Sequence, residues 1–243
     1  MISETTFAKK FTSFWAQLLP SANYYVRVLN EGMLESFYAP IKPVRAENVA
    51  LCNVVSFEVF KEFLEGNVRR AEIQDGSYFS LATFSEVLDR QKAYVKRFQH
   101  GSPVTLSPNR EEISDIARLS LETIDRYGLQ KHRIRVNPRF DGIGYLNPAE
   151  GDILEGKVLV EIKAGFRKFS VYDIRQVLIY LTMNFFSANP YEIKSIELYN
   201  PRMGIAFSVG VGELCESVSA LLPQDLFTEI QLYLTETNFV ELA

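Results

Sequence analysis

The chain has 243 residues, 47% of them hydrophobic and 23% charged, which excludes a disordered chain, a collagen and a coiled-coil rod. Its 26 Lys and Arg against 30 Asp and Glu give a formal net charge of -4, so it does not coat nucleic acid through bulk positive charge, and any contact with a polyanion has to be local. Cys52 and Cys215 make neither a disulfide framework nor a paired-cysteine zinc site, and a reduced, cytoplasmic compartment is the default expectation.

In chain order, Met1-Ile2-Ser3-Glu4 lacks the basic and apolar regions of a signal peptide. Residues 1–105 read as a mixed, largely helical N-terminal region. Helices are expected over 7–19 and 83–98, separated by Pro20, Pro40, Pro43 and Asp75-Gly76. No chemistry is legible here, and the region is a candidate surface for a protein partner.

A core follows over 106–212. Its first helix has Ser107 as N-cap, Pro108 at the first helical position and Gly128 as stop. The apolar stripe Ile113, Ile116, Ala117, Ser120, Ile124 and Tyr127 is that of a helix lying on a sheet. Strands are expected at 134–136, 140–145, 151–154 and 158–163, then a helix over 171–186 capped by Ser170, then strands at 193–198 and 205–211. A last helix near 224–234, within 213–243, is expected to pack on this core. The order is that of an α/β sandwich. The longest apolar stretch, 177–186, is far too short to span a bilayer.

The chemistry concentrates in residues 151–163. Gly156-Lys157 has the glycine-first pattern of a type II′ hairpin turn, which pairs Glu155 with Val158, Leu154 with Leu159 and Ile153 with Val160, and sets Asp152 opposite Glu161. Alternation then puts Asp152, Glu161 and Lys163 on one face. Opposed carboxylates repel, and with cross-strand Cβ atoms roughly 4.5–5.5 Å apart both can reach one divalent cation. Lys163 is placed to orient or help deprotonate an attacking water. Without an ion, the same residues read as a turn aspartate and a solvated strand stripe.

Asp152, Glu161-Ile162-Lys163, the preceding Asn137-Pro138-Arg139-Phe140 and Gly144, and the following Arg175-Gln176 with Tyr180 resemble the PD-(D/E)XK nuclease-like superfamily, in its RecB-like branch. The resemblance spans about residues 107–211. It implies a restriction-endonuclease-like αβββαβ core and a Mg²⁺- or Mn²⁺-dependent deoxyribonuclease acting in repair or in defence against foreign DNA. It also implies metal ligation by Asp152, Glu161 and the Ile162 carbonyl, with Lys163 as catalytic lysine. Gly151 stands where the family often has proline. A further acid on the first helix is common in the family; Glu112 is the better candidate there, with Asp141 as an alternative.

Gln176 and Tyr180, four apart on one helix face, either support the site or form a buried polar pair. Arg175 contacts phosphate or is an ordinary surface arginine. The basic run Arg126, Lys131, Arg133, Arg135 and Arg139 either tracks a phosphate backbone or is a solvated edge. His100 and His132 have no carboxylate at ligand spacing, and P-loop and serine-elbow motifs are missing. The competing expectation is a catalytically inactive nuclease-fold protein that binds nucleic acid or assembles a complex.

Overall fold

The structure, a computed structural model, describes residues 1–97 and 107–236. His100, Phe98 and the expected boundary at 105/106 lie outside the described residues. The helices are α1 (Glu4–Lys10), α2 (Thr12–Leu18), α3 (Ala22–Val28), α4 (Val49–Glu65), α5 (Arg70–Gln74), α6 (Ala82–Lys96), α7 (Arg110–Tyr127), α8 (Val171–Phe185), α9 (Val211–Ser219) and α10 (Pro223–Glu236). The strands are β1 (Glu35–Ser36), β2 (Ile134–Val136), β3 (Arg139–Phe140), β4 (Ala149–Glu150), β5 (Ile153–Glu155), β6 (Val158–Ile162), β7 (Ser195–Asn200) and β8 (Ile205–Gly210).

The protein is α/β. Among the described residues six strands form one mixed sheet in the order β1-β8-β7-β6-β5-β2, and β3 pairs with β4 beside it. Only β6 and β7 run parallel. Parallel neighbours need a crossover, and α8 supplies it.

Side-chain alternation gives the sheet two apolar faces. Leu159, Ile196, Leu198, Phe207 and Val209 pack with Ile174, Val177 and Leu178 of α8 and with α1–α3, α9 and α10. Ile153, Val160, Tyr199 and Ala206 pack with α4–α7 on the other face. With both faces covered, the central strands β6 and β7 read as near-continuous apolar runs, and a charged residue within them stands out.

Residues 1–97 are built into this frame: β1 extends the sheet on β8, α1–α3 cover one face and α4–α6 the other. Several local expectations need correction. The single helix over 7–19 is broken at Phe11 (φ -89°, ψ 57°), where Trp15 Nε1 turns back to donate to the Phe7 carbonyl at 2.9 Å. The cap of α7 is Asn109, not Ser107: its side chain accepts from the Glu112 N–H while Glu112 accepts from the Asn109 N–H, a capping box. The strand expected over 140–145 is extended only at Arg139–Phe140, and α9 follows β8 where no helix is legible. No helix among the described residues is long and apolar enough to cross a membrane.

Candidate active site at the open end of the hairpin

The β5–β6 hairpin has the register read from its turn: Ile153 faces Val160, Leu154 faces Leu159 and Glu155 faces Val158. Gly156 takes φ +57° while Lys157 does not have positive φ, which is the type II′ pattern. Away from this turn, Asp152 and Glu161 come together at the open end. Asp152 Oδ2 accepts the Ile162 N–H at 2.6 Å, and the Asp152 carbonyl accepts the Asn137 N–H at 2.9 Å.

Gly151, the residue in the place of the frequent proline, donates its N–H to the Pro138 carbonyl at 3.0 Å. A Cβ here would stand 3.2–3.4 Å from Phe140, Leu159 and Pro138. Proline lacks the donor and brings extra bulk, so glycine suits this packing.

Lys163 continues the parallel ladder, donating its N–H to the Tyr199 carbonyl at 2.7 Å. Its ammonium donates to Glu161 Oε1 at 2.8 Å and to Gln176 Oε1 at 2.6 Å, and lies 4.0 Å from Asp173 Oδ1. Gln176 Nε2 donates to the Tyr180 hydroxyl at 2.8 Å, which donates to the Glu150 carbonyl at 3.2 Å. Gln176 and Tyr180 therefore belong to the site's support: a chain of bonds runs from the lysine across α8 to the strand that precedes Asp152.

Charge at this end is unbalanced. Burial, and then the facing Asp152, push the Glu161 carboxyl well above the usual carboxylate range, against the pull of Lys163. Burial also raises Asp152, with Lys163 and the Ile162 N–H opposing it. Burial would lower Lys163, but the combined fields of Glu161, Asp152 and Asp173 raise it overall. Glu161 Oε2 is buried and has no hydrogen-bond partner among the described residues. An orphaned carboxyl oxygen opposite a second carboxylate is costly unless a proton or a cation completes it. Among the described residues no group of three or more His, Cys, Asp and Glu is arranged to hold a metal ion; the oxygens that could meet a cation at this end are those of Asp152 and Glu161. That set suits a hard cation that keeps most of its waters.

Other candidates fall elsewhere. Glu112 is 1% exposed. Its oxygens are taken by Arg45 Nε at 2.9 Å, a further short contact to Arg45 Nη2, Asn48 Nδ2 at 3.1 Å and the Asn109 N–H at 2.9 Å. Asp141 is exposed and accepts the Ser187 hydroxyl at 2.8 Å. Arg175 is buried; it donates to the Ala8 carbonyl at 3.1 Å and lies over the Trp15 and Tyr172 rings, so it ties α8 to the N-terminal helices and is no surface arginine. In the basic run, Arg126 makes a two-pronged pair with Glu197 at 2.9 and 2.8 Å, Lys131 donates to the Phe63 carbonyl at 2.7 Å, and Arg139 lies 3.5 Å from Glu150. Arg126 is a structural ion pair; Lys131, Arg133, Arg135 and Arg139 stay exposed.

Two groups at the site are not legible from motif spacing. Asp173 accepts both Arg167 Nη atoms at 2.7 and 2.9 Å and the Ser170 N–H at 2.7 Å. Burial opposes ionisation, but Arg167 and Lys163 hold its carboxyl below its usual value. The Ser170-x-x-Asp173 capping box was the available signal. The second group is α4, which with α6 bounds a cleft of about 380 Å³ beside Asp152. A smaller cleft of about 200 Å³ is lined by Lys163 itself, with Lys9, Arg167 and Tyr172 among others. No protein-family model and no curated protein matches this sequence.

Proposed function

We propose that the protein is a Mg²⁺- or Mn²⁺-dependent nuclease that hydrolyses phosphodiester bonds, with DNA as its substrate, and that its core is of the restriction-endonuclease-like kind. The observation that carries this reading is the buried, half-satisfied pair: Glu161 Oε2 without a partner, facing Asp152, with Lys163 held beside both. The succession α7, β2, β5, β6, α8, β7, with β6 and β7 parallel, supports the αβββαβ arrangement.

Asp152 and Glu161 would hold the ion, joined by the Ile162 carbonyl. When bound, a divalent cation supplies positive charge against the phosphate oxygens and acidifies the attacking water. The chain's own part is electrostatic and positional. Lys163 has two of its three N–H donors on Glu161 and Gln176, which positions it to donate to charge developing on the phosphate. Gln176 and Tyr180 fix where that ammonium sits. Water adds to phosphorus, the bond to the leaving sugar oxygen breaks, and the proton passes to that oxygen.

The test is cleavage of labelled single-stranded and duplex DNA, and of RNA, with Mg²⁺ or Mn²⁺, comparing the parent with Asp152→Ala, Glu161→Ala and Lys163→Ala. Cleavage by the parent alone is expected. Activity that survives all three changes would remove the site assignment. An inactive parent whose nucleic-acid binding ignores the ion would favour the binding-module alternative.

A further inference from the structure

We propose that the cleft between α4, α6 and the open end of the hairpin is a nucleobase pocket, which makes a single polynucleotide strand the preferred substrate. The inference takes its phosphate position from the nuclease reading of the same site, but the pocket argument stands on its own lining.

Six residues carry it: Phe57 and Lys61 of α4, Gln91 of α6, and Asn137, Asp152 and Ile162 from the sheet side. About 380 Å³ is in the range of small-ligand pockets. Phe57 is half-buried in the cleft wall, with the Lys61 ammonium over its ring at 5.6 Å from the centroid and the Phe60 ring stacked at 6.0 Å, so a base reaches the ring only by displacing the lysine. Lys61 also pairs with Glu58 on the same helix. With the lysine displaced from the ring toward a phosphate, the pair matches the two parts of a nucleotide, the base face and its phosphate.

The amides of the lining point the same way, while Glu58, Glu150 and Asp152 put negative charge around them. Asn137 donates Nδ2 to Glu150 at 3.2 Å, but its Oδ1 is buried without a partner among the described residues. Its backbone lies at φ 50°, the left-handed region that asparagine adopts more readily than most non-glycine residues. Asn137 and Gln91 both line the cleft, and a small turn of the Asn137 amide that uncovers its unpaired oxygen gives an acceptor for a base N–H beside the Gln91 amide. In a duplex the base faces are stacked and unavailable; in a single strand they are free to enter such a pocket. Asp152 forms one wall, so a base seated in the cleft brings its own phosphate to one carboxylate of the pair. The N-terminal region would thereby supply substrate choice.

The experiment measures binding by fluorescence anisotropy in full-length Glu161→Gln protein with Mg²⁺ present, using an oligo-dT strand, an abasic strand of equal length and charge, and a duplex. Expected are tighter binding of dT than of either other probe, a loss of about ten-fold or more in dT affinity with Phe57→Leu, an unchanged abasic affinity, and recovery with Phe57→Tyr. Lys61→Gln weakens dT and abasic strands alike. If Phe57→Leu lowers the thermal midpoint, Gln91→Ala takes its place, with an expected loss of about three-fold for dT only. Equal affinity for dT and abasic strands, tighter duplex binding, or Phe57 and Gln91 changes that act equally on all probes would overturn the pocket. The outcomes separate the two readings. Phe57-dependent dT binding beside an inactive parent keeps the pocket and removes the nuclease; Asp152-dependent cleavage without base dependence does the reverse.

Discussion

Glu161 on β6 and Glu197 on β7 are 4% and 9% exposed, on neighbouring strands and opposite faces of the sheet, since it is Val160 that lies beside Glu197 in the register. Glu197 is completely paired: Arg126 donates twice, at 2.9 and 2.8 Å, Ser208 donates at 2.9 Å, and the Tyr127 hydroxyl makes a short contact. Burial works against its ionisation, yet Arg126 and Tyr127 bring its carboxyl below the usual value. Glu161 has one lysine, a facing aspartate and a bare oxygen, and its carboxyl is raised by burial and by Asp152. The same residue type at similar burial is thus fully paired in one place and half-paired in the other. What differs is whether the fold supplies all the positive partners.

The largest effect expected from this contrast is on activity. Asp152→Ala or Glu161→Ala should lower DNA cleavage on the order of 1,000-fold, the equivalent of the several kcal/mol a catalytic ion supplies, while Glu197→Gln leaves the rate per folded molecule unchanged; initial rates on a labelled strand decide. Stability should show the reverse. Glu197→Gln strands Arg126 and should cost about 3 kcal/mol, the low end for a buried pair because Arg126 keeps 20% side-chain exposure. Glu161→Gln relieves the facing charge and should cost nothing in urea denaturation without metal.

Acid sharpens the same difference. The folded carboxyl of Glu197 lies below its ordinary value of 4.5, so its stabilisation is present above that value and disappears as pH falls through the depressed one. The Glu197→Gln variant should therefore lose less stability than the parent between about pH 5 and about pH 3, measured by denaturant midpoint. A cation should repair Glu161: Mg²⁺ at about a hundred times its Kd should add about 2.7 kcal/mol to unfolding, and Asp152→Asn with Glu161→Gln should abolish that gain.

Smaller effects fall on the remaining acids. Glu112→Gln should cost about 1 kcal/mol through the α7 cap, with cleavage per folded molecule unchanged. Asp141→Asn should stay within about 0.5 kcal/mol and leave cleavage untouched. A Glu112 or Asp141 variant that stopped cleavage while staying folded would place that acid in the site and break the contrast.

The site was legible largely because hairpin geometry is local: a two-residue turn dictates register, and register dictates which carboxylates face each other. Gln176 and Tyr180 were legible as a helix-face pair, though not the bond to Lys163, which depends on how α8 crosses the sheet. Helix starts were harder, since Ser107, Pro108 and Asn109 all carry N-terminal signals and the capping box with Glu112 decides among them. The 17-residue α4 is not legible because its run of Val and Phe suits strand as well as helix, and because its position facing Asp152 across a cleft is not set locally.

By itself the amino-acid sequence determined the α/β alternation, the hairpin pairing and the convergence of Asp152, Glu161 and Lys163, all set by interactions between residues near in the chain. Only the tertiary structure decided that Arg126 serves Glu197 and not a phosphate, that Glu112 is consumed by Arg45 and a cap, and that the N-terminal helices wall the cleft. Those outcomes rest on partners far apart in sequence: 71 residues separate Arg126 from Glu197 and 67 separate Arg45 from Glu112. A charge or amide becomes structure or site according to what packing brings within hydrogen-bond reach, and no local pattern encodes that.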